Sequence, residues 1–463
     1  MLSNFLADKI INRLPYVPNE NQRQCIERLA NFCTSAQPHH LFLLKGYAGT
    51  GKTSLVGAFV NALEQMGQKC VLMAPTGRAA KVFHNYSGQK TFSIHKKIYR
   101  QKSATEFQFN LSENLHKNTF FVVDEASMIS NRPGDGLNFG SGYLLNDLIH
   151  YVYFGENCSL ILLGDTAQLP PVMQTMSPAL DRQVLESFGL EVEEFELTEV
   201  VRQEEASGIL ANATQLRHLQ KQNLAVYQPK VDYSFPDVKR VTSVDLIEEI
   251  YNAYRESGIE DCIIITRSNK RAVLYNRGIR NQVLQKEDEF SNGDLLMITK
   301  NNYFWSKSYA ELDFIANGDI VEIVRIHKHY ELYDFRFADV TLRFLDYDLE
   351  VEARILIDSL YTGSAAETET LNKKLYAAVA EDYADVPNKR NRVKQMMDNP
   401  FLNALQIKFA YAVTCHKAQG GQWKKVFVDA GHVADEQKTV EYLRWLYTAF
   451  TRAQEKLYIV NKC

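Results

Sequence analysis

A glycine-rich segment near residue 50 has the residue types and spacing to hold a chain of phosphates. It reads Gly46-Tyr47-Ala48-Gly49-Thr50-Gly51-Lys52-Thr53. Glycines let the backbone approach phosphate oxygens closely, and the N–H groups of such a loop point inward at the start of a helix. Lys52 would reach the β- and γ-phosphates, and the Thr53 hydroxyl would bind Mg²⁺. We predict that ATP is held by Gly46, Gly49, Thr50, Gly51, Lys52, Thr53 and Ser54.

Two adjacent carboxylates, Asp124 and Glu125, come directly after the apolar run 120–123. Ligands of open α/β sheets bind at the carboxyl ends of the strands. Asp124 would hold Mg²⁺ through water, and Glu125 would orient and deprotonate the water that attacks the γ-phosphate. An Asp-Glu pair after a strand is also common as a helix N-cap. The position downstream of a phosphate loop favours the catalytic interpretation.

Two glutamines complete the predicted nucleotide site. Gln168 follows the apolar run 160–163 and would contact the γ-phosphate or the attacking water. Gln22 precedes the first long helical pattern, and an amide can pair with the adenine edge as donor and acceptor together. The alternatives are a plain turn at Asp165, since Gly-Asp and Pro-Pro form turns, and a solvated helix-start glutamine at residue 22.

Apolar strands that alternate with helices would position these side chains. Short apolar runs at 41–44, 71–74, 120–123 and 160–163 are followed by turns and helical patterns. This alternation predicts parallel strands buried on both faces. It also argues against a glycine-rich turn that matches a phosphate loop by chance. Further runs at 262–266, 409–414, 426–428 and 457–460 predict a second α/β lobe.

Three segments interrupt these two lobes. Residues 314–357 alternate apolar and polar side chains, which predicts a small antiparallel barrel. Residues 364–398 are polar with a helical pattern, and residues 96–117 alternate weakly, which predicts a hairpin.

The bulk composition is that of an ordinary globular protein, with 45% hydrophobic and 23% charged residues. The net charge of −4 neither supports nor excludes nucleic acid, because a whole-chain sum does not reveal a local basic channel. Seven scattered cysteines, without a CxxC pair, predict reduced thiols rather than a disulfide or zinc site. Apolar runs are too short to cross a bilayer. Apolar spacing from Phe5 to Leu14 predicts an amphipathic N-terminal helix rather than a secretory signal.

Three segments in the second half extend the pattern: 197–203 (LTEVVRQ), 412–422 (AVTCHKAQGGQ) and 447–453 (YTAFTRA). With the four elements above, they resemble the ordered motifs of superfamily 1 helicases, over residues 22–452. The segment 74–80 (APTGRAA), the stretch 91–95 and the β-type insertion resemble the RecD, Pif and Dda branch. One departure is Gln422, near a place where the family often has an acidic residue that meets the ribose.

The resemblance implies an ATP-dependent DNA helicase that moves 5′ to 3′ on single-stranded DNA. It implies that Arg202 and Arg452 reach from the second lobe to the γ-phosphate, where cations stabilise charge during phosphoryl transfer. Phe83, Phe92 and Trp423 are candidates for stacking on bases, with ordinary core packing as the alternative for each. The hairpin at 96–117 is the candidate wedge. The predicted contacts with the strand backbone are Thr76, Arg78, Thr91, His95, Thr414, His416 and Lys417.

The same resemblance sets the expected architecture and partners. We expect two RecA-like parallel-sheet lobes, the first at 1–198 with its insertion at about 96–117, the second at 199–300 and 402–463. An SH3-type barrel with a helical segment would occupy 301–401. We expect a cytoplasmic monomer, nucleoid-associated in a bacterium, that acts on single-stranded DNA and duplex junctions without a membrane. We also expect no appended nuclease or targeting domain.

Other functions fit parts of this pattern. A nucleic-acid-dependent ATPase that translocates or remodels complexes without unwinding shares every motif, as does a motor that acts on RNA. A binding protein with a degenerate ATPase site conflicts with the intact Lys52, Asp124, Glu125 and Arg452. A small-molecule kinase would not need the motifs of the second lobe.

Overall fold

The structure is a computed structural model that describes residues 2–35, 37–103, 106–133, 139–201, 207–222, 224–309, 312, 314–346 and 349–461. It contains two compact units. The first comprises residues 1–239, 419–422 and 432–457, and the second comprises residues 240–418, 423–431 and 458–463. The predicted domains were defined by the strands of each sheet, whereas these units are defined by compact packing. The predicted domain boundaries therefore stay a prediction.

The first unit has helices before, between and after its strands. Its helices are α1 (Leu2–Ile11), α2 (Glu20–Thr34), α3 (Lys52–Gln65), α4 (Gly77–Ser87), α5 (Ile94–Ile98), α6 (Leu144–Phe154), α7 (Arg182–Glu186), α8 (Gly208–Gln220) and, much later in the chain, α14 (Val440–Phe450). Its strands are β1 (His40–Gly46), β2 (Lys69–Ala74), β3 (Thr91–Ser93), β4 (Tyr99–Ser103), β5 (Glu106–Leu111), β6 (Thr119–Val123), β7 (Ser159–Gly164) and β8 (Glu191–Leu197).

Six of these strands form a parallel sheet in the order β3-β2-β6-β7-β1-β8. The apolar runs supply its buried centre, as the continuous burial of β7 after its first residue illustrates. Because all strands point the same way, their carboxyl ends share one edge of the sheet. The predicted parallel sheet is confirmed, and the phosphate loop, the Asp124-Glu125 pair and the Gln168 turn follow β1, β6 and β7 at this edge.

The N-terminal helix α1 packs on the core of this unit through Leu6, Ala7 and Ile10. Its predicted apolar face is narrower than the sequence pattern suggested. Phe5 remains 52% exposed, because it lies off the line that faces α2 and α3.

The predicted hairpin is confirmed as β4 paired antiparallel with β5. It follows α5 and leads to β6. Its base is fixed to the unit by the N–H of Ser112, which donates to the carbonyl oxygen of Ile98 at 2.8 Å.

A second sheet has the order β16-β10-β17-β18-β9. Its strands are β9 (Val238–Val241), β10 (Cys262–Thr266), β16 (Ala412–Thr414), β17 (Trp423–Asp429) and β18 (Ala453–Val460). Strand β10 pairs in parallel with β16 and β17, which confirms a second parallel sheet. The associated helices are α9 (Leu246–Ser257), α10 (Asn269–Gly278), which continues as a π-helical turn at Ile279–Val283, and α13 (Cys415–Ala418).

A closed five-stranded barrel interrupts this sheet in the sequence. Its strands are β11 (Leu295–Ile298), β12 (Ile320–Leu332), β13 (Phe335–Phe344), β14 (Leu349–Leu356) and β15 (Leu405–Phe409). The barrel is confirmed but extends beyond the predicted 314–357. Predicting one strand at 409–414 was wrong, because Phe409 pairs with Leu296 in the barrel whereas Ala412 pairs with Ile264 in the sheet.

The predicted helical segment is confirmed as α11 (Ala365–Glu381) and α12 (Lys389–Met397). Leu375 and Val379 of α11 pack with Phe337 and the neighbouring Phe401 in a small apolar cluster. Helices within the described ranges are all too short or too polar to span a bilayer. The six cysteines that the structure describes are free thiols.

Candidate nucleotide-binding site

The phosphate loop joins β1 to α3 and depends on two glycines with left-handed backbone. Gly49 has φ 75° and Gly51 has φ 74°, a conformation that L side chains adopt only with strain. A Cβ atom on Gly51 would collide with the Tyr16 hydroxyl and lie 2.7 Å from Nε2 of Gln22. The sequence therefore needs glycine at 51 for backbone shape and for space.

Gln22 of α2 holds this loop through a hydrogen bond. Its side chain is 1% exposed, its Nε2 donates to the carbonyl oxygen of Thr50 at 2.9 Å, and its Oε1 accepts from the N–H of Asn19 at 3.1 Å. Both polar groups of the amide are thus engaged within the protein. Contact of Gln22 with adenine stays a prediction, and the described geometry gives the residue a role in holding the phosphate loop.

An open cavity of about 460 Å³ lies above the loop. Lys52 begins α3, and its Nζ donates to the carbonyl oxygen of Gly46 at 3.0 Å, which keeps the cation beside the phosphate position. Predicted residues that line the cavity are Gly49, Gly51, Lys52, Thr53, Ser54, Asp124, Glu125, Gln168 and Arg452. Gly46, Thr50 and Gln22 lie behind this lining.

The two carboxylates stand at the end of β6. Oδ1 of Asp124 accepts from the N–H of Glu125 at 2.8 Å, and Glu125 has a left-handed φ of 53°. Burial and the adjacent Glu125 raise the pKa of Asp124 to about 6. Burial also raises the pKa of Asp165, which shares the cavity. This accumulation of buried carboxylates is the electrostatic environment that a divalent cation stabilises.

Gln168 lies on a short turn, 165–169, that is fixed at both ends. Oδ2 of Asp165 accepts from the Tyr447 hydroxyl at 2.7 Å, and the N–H of Leu169 donates to the Thr448 hydroxyl at 2.9 Å. Sequence reasoning missed Tyr447 and Thr448 as site residues. Their position in the YTAFTRA segment, which had been singled out for Arg452 alone, was the available signal.

Arg452 is 4% exposed and follows α14. Its Nε donates to the carbonyl oxygen of Thr448 at 3.1 Å and its Nη1 to that of Gly421 at 3.2 Å. The same Nη1 lies 3.6 Å from Oε1 of Glu125. The predicted arginine and the predicted catalytic carboxylate are therefore brought together within the first unit.

A second buried arginine, Arg217 on α8, was not predicted. Its guanidinium carbon lies 4.3 Å from the ring centroid of Tyr47, in the phosphate loop. A cation over an aromatic face attracts the ring and restrains it. The helical spacing of α8 gave no sign that this arginine faces inward.

Arg202 lies outside the described residues. The adjoining Val201 is described, and its N–H donates to the carbonyl oxygen of Gly49 at 2.8 Å. The segment that carries Arg202 thus starts beside the phosphate loop, and the role of Arg202 itself stays a prediction.

The strand contacts predicted in the first unit follow β2 and β3. Thr76 caps α4, accepting from the N–H of Ala79 at 3.2 Å, and Arg78 is in the first turn of that helix. Thr91 is in β3, and its hydroxyl donates to the carbonyl oxygen of Gln89 at 3.2 Å. His95 packs against Tyr99, and burial lowers its pKa to about 4. His95 is therefore neutral near pH 7 and lacks the charge expected of a cationic phosphate contact.

The predicted strand contacts in the second unit lie at the end of β16 and on α13. Thr414 ends that strand, and His416 and Lys417 are exposed on α13.

The three aromatic candidates for base stacking differ in their exposure to solvent. Phe83 and Trp423 are buried at 1% and 4% exposure, which agrees with core packing, the alternative to base stacking, for both. Phe92 is partly exposed, with the Nζ atoms of Lys90 and Lys97 about 5 Å from its ring centroid.

Comparisons with known proteins find two matching family models and several similar helicases. Residues 18–230 match the family described as AAA domain, and residues 409–460 match the UvrD-like helicase C-terminal domain. The chain is 24% identical over 458 residues to the ATP-dependent DNA helicase dda of Enterobacteria phage T4, covering 91% of this chain and 94% of that protein. The chain is therefore similar to superfamily 1 helicases of the RecD/Pif/Dda-like branch. The phosphate loop lies in the first matched region, and the buried Arg452 lies in the second.

Two further helicases are similar to this chain over different lengths. The ATP-dependent RecD2 DNA helicase of Deinococcus radiodurans is 30% identical over 156 residues, which cover 34% of this chain and 20% of that protein. The structure of the Pif1 helicase from Bacteroides, in complex with ADP-AlF3 and ssDNA, aligns with a TM-score of 0.48 and 16% identity. That alignment covers 96% of this chain and 92% of the Pif1 chain.

Proposed function

We propose that the protein is an ATP-dependent DNA helicase that moves 5′ to 3′ along single-stranded DNA and unwinds duplex. The observation that carries the proposal is one cavity lined by Lys52, Asp124, Glu125, Gln168 and Arg452. These are the residue types that phosphoryl transfer to water requires. The similarity to the DNA helicases dda and RecD2 supports the coupling of this reaction to DNA.

Each residue has a distinct part in hydrolysis. Lys52 binds the β- and γ-phosphates of ATP at the start of α3. Glu125 orients the attacking water and accepts its proton, and Gln168 holds that water or the γ-phosphate in line. Arg452 supplies positive charge where negative charge develops during transfer, in a buried position where such a charge is weakly screened.

The donor set of the cavity fits Mg²⁺. A hydroxyl, a carboxylate and phosphate oxygens are the hard oxygen ligands that this ion prefers. Thr53 and Asp124, which both line the cavity, would hold it. Bound there, Mg²⁺ would neutralise charge on the β- and γ-phosphate oxygens.

The proposed partner is single-stranded DNA at a duplex junction, and the proposed state is a monomer. This substrate places the protein in the compartment that holds DNA, which is the cytoplasm in a bacterium. Exposed Lys417 and the first turn of α4 supply groups that suit phosphate contacts without sequence preference.

The first test measures ATP-driven unwinding of one duplex that carries either a 5′ or a 3′ single-stranded tail, with Lys52→Ala as the inactive control. We expect unwinding from the 5′ tail only. Unwinding from the 3′ tail only would keep the motor and overturn the polarity. Strand-stimulated ATP hydrolysis without unwinding on either substrate would make the protein a translocating or remodelling ATPase. The same assay with an RNA strand separates DNA from RNA preference.

A further inference from the structure

The hydroxyl of Tyr447 joins two parts of the nucleotide site that are far apart in the sequence. It accepts from the N–H of Ala48, in the phosphate loop, at 2.9 Å. It donates to Oδ2 of Asp165, at the start of the turn that carries Gln168, at 2.7 Å. Tyr447 is 1% exposed and Asp165 is equally buried. One side-chain oxygen therefore fixes the phosphate loop relative to this turn.

The turn itself has little freedom once Asp165 is held. The other carboxylate oxygen of Asp165 accepts from the N–H of Ala167 at 2.9 Å. At the far end, Thr448 holds the N–H of Leu169, and Nε2 of Gln419 donates to the carbonyl oxygen of Leu169 at 2.8 Å. Gln168 thus lies between two fixed residues, Asp165 and Leu169. Adjacent residues of α14, Tyr447 and Thr448, supply one hydrogen bond to each.

The side-chain oxygen of Gln168 is buried beside the nucleotide cavity. Gln168 is 6% exposed, and its Oε1 has no hydrogen-bond partner among the described residues. A buried amide oxygen without a partner is costly, and in this cavity its available partner is a water or a bound ligand. The position of that oxygen is set by the turn, and the turn by Tyr447 and Thr448.

We propose that Tyr447 is a positioning residue for ATP hydrolysis, which sets the distance between the phosphate loop and the Gln168 turn. The inference rests on the proposed ATPase function. Burial raises the pKa of the Tyr447 hydroxyl well above its usual range, so it keeps its proton and donates to Asp165 at any working pH. Misplacement of a reacting group by about 1 Å can lower a rate by roughly 100-fold.

A second tyrosine offers a matched control. The hydroxyl of Tyr411, in the other unit, donates to the buried carboxylate of Asp294 at 2.8 Å and accepts from the N–H of Leu295 at 3.2 Å. Tyr411 is also 1% exposed, and it is not among the residues that line the nucleotide cavity. Tyr411→Phe therefore removes the same pair of hydrogen bonds, tyrosine to carboxylate and backbone N–H to tyrosine, outside the site.

The experiment compares Tyr447→Phe with Tyr411→Phe in the full chain. It measures ATP turnover at saturating ATP and single-stranded DNA, the Kd for ADP by calorimetry, and Tm. We expect Tyr447→Phe to lower kcat by about 10- to 100-fold, with the Kd for ADP changed less than about threefold. We expect the two variants to lower Tm by similar amounts, because each loses the same pair of hydrogen bonds. We expect Tyr411→Phe to keep kcat within about twofold of wild type.

Two outcomes would overturn the inference. One is a Tyr447→Phe protein whose kcat is within about twofold of wild type, and the other is an equal loss of kcat in both tyrosine variants. If Tyr447→Phe does not fold, the comparison moves to Thr448→Val and Thr448→Ser, which differ in the hydroxyl that holds Leu169. Turnover by the serine variant should exceed that of the valine variant at least about fivefold, and equal turnover would overturn the inference.

The proposed function and this inference fail in distinguishable ways. Wild-type protein without any strand-stimulated ATP turnover would overturn the proposed function and the inference with it. Wild-type turnover that is normal, with Tyr447→Phe also normal, would overturn the inference alone.

Discussion

Arg452 combines full burial with a position beside a carboxylate. Two of its nitrogens donate to backbone carbonyl oxygens of Thr448 and Gly421, and a third donates to the Thr451 hydroxyl at 3.3 Å. These bonds leave the guanidinium facing Glu125 at 3.6 Å. A cation held so firmly loses little freedom when negative charge develops on a neighbouring phosphate.

Arg452→Ala should nearly abolish ATP turnover, by about 10³-fold, because removing a fixed cation from phosphoryl transfer costs this much in related chemistry. The Kd for ADP should change by less than about tenfold. Arg452→Lys keeps the charge but not the planar fork, and we expect it to recover only a small part of the rate. Turnover of Arg452→Ala within tenfold of wild type would remove the arginine from the mechanism.

His95 makes a prediction about stability rather than turnover. Its pKa is about 4 in the folded protein, lowered by burial, against an ordinary value of 6.5. Between these values the unfolded chain binds the proton and the folded chain does not. The stability contributed by neutral His95 is therefore fully present above pH 6.5 and is lost as the pH falls toward 4.

His95→Phe should flatten this dependence, since phenylalanine cannot titrate and can still pack against Tyr99 and Phe139. Between pH 7 and pH 4.5, its free energy of unfolding should fall by about 1–3 kcal/mol less than that of wild type. Urea unfolding at a series of pH values measures the difference. Parallel curves for the two proteins would show that His95 does not govern the acid sensitivity.

At the scale of elements, the hairpin of β4 and β5 is the predicted wedge that separates the strands of a duplex. Its base is anchored by Phe109, which is 5% exposed and lies 5.0 Å from the ring centroid of Phe139. The ladder pairs Tyr99 with Leu111 and Gln101 with Phe109. The end of the hairpin can therefore be removed while these paired residues at its base are kept.

Replacing residues 102–108 with Asn-Gly would close the ladder after the Gln101–Phe109 pair by a two-residue turn. We expect this shortened protein to keep strand-stimulated ATP hydrolysis within about threefold of wild type and to lose unwinding of the 5′-tailed duplex. Its own ATPase activity is the control for folding. Unwinding at the wild-type rate would assign strand separation to another element.

The elements also show how far the sequence could be interpreted. The strands before the phosphate loop and before Asp124 were predictable, because buried parallel strands give continuous apolar runs. The closure of the barrel was not. β11 and β15 lie more than 100 residues apart and meet through pairs such as Leu296 with Phe409, and no local pattern reports which distant strand supplies a partner.

A similar difference separates the predicted and missed residues of the site. Asp124 and Glu125 follow β6 directly, and Lys52 follows the loop after β1, so the parallel sheet brings them together. Tyr447 and Arg217 reach the site by packing of α14 and α8, which depends on tertiary contacts. The sequence left Phe83 open between base stacking and core packing, because an aromatic side chain in α4 has the same sequence signal whether it faces the core or solvent.

At the scale of the whole molecule, the net charge of −4 requires any nucleic-acid affinity to come from a local set of cations. Neutralising phosphates of a single strand makes the logarithm of the binding constant fall with the logarithm of salt concentration, with a slope of about −0.7 per contact. Exposed Lys417 on α13 is a candidate contributor.

Lys417→Ala should reduce the magnitude of this slope by about 0.7 and weaken binding equally across strand sequences. Fluorescence anisotropy with an oligothymidine and a mixed-sequence strand, between about 50 and 300 mM salt, measures it. Lys373→Ala is the control, since Lys373 is 75% exposed on α11 and pairs with Glu369. An unchanged slope for Lys417→Ala would exclude this lysine from the strand contacts.

The first unit takes in residues 432–457 as well as residues 1–239, and this division has a consequence for the newly made protein. At about 5–20 residues per second, a ribosome needs roughly 12–50 s to proceed from the end of β8 to Tyr447 and Arg452. During that interval the phosphate loop exists without the side chains that anchor the Gln168 turn and face Glu125. A chain that terminates before Tyr447 would lack these side chains, so we expect translational errors to yield fragments without ATP turnover rather than uncoupled ATPases.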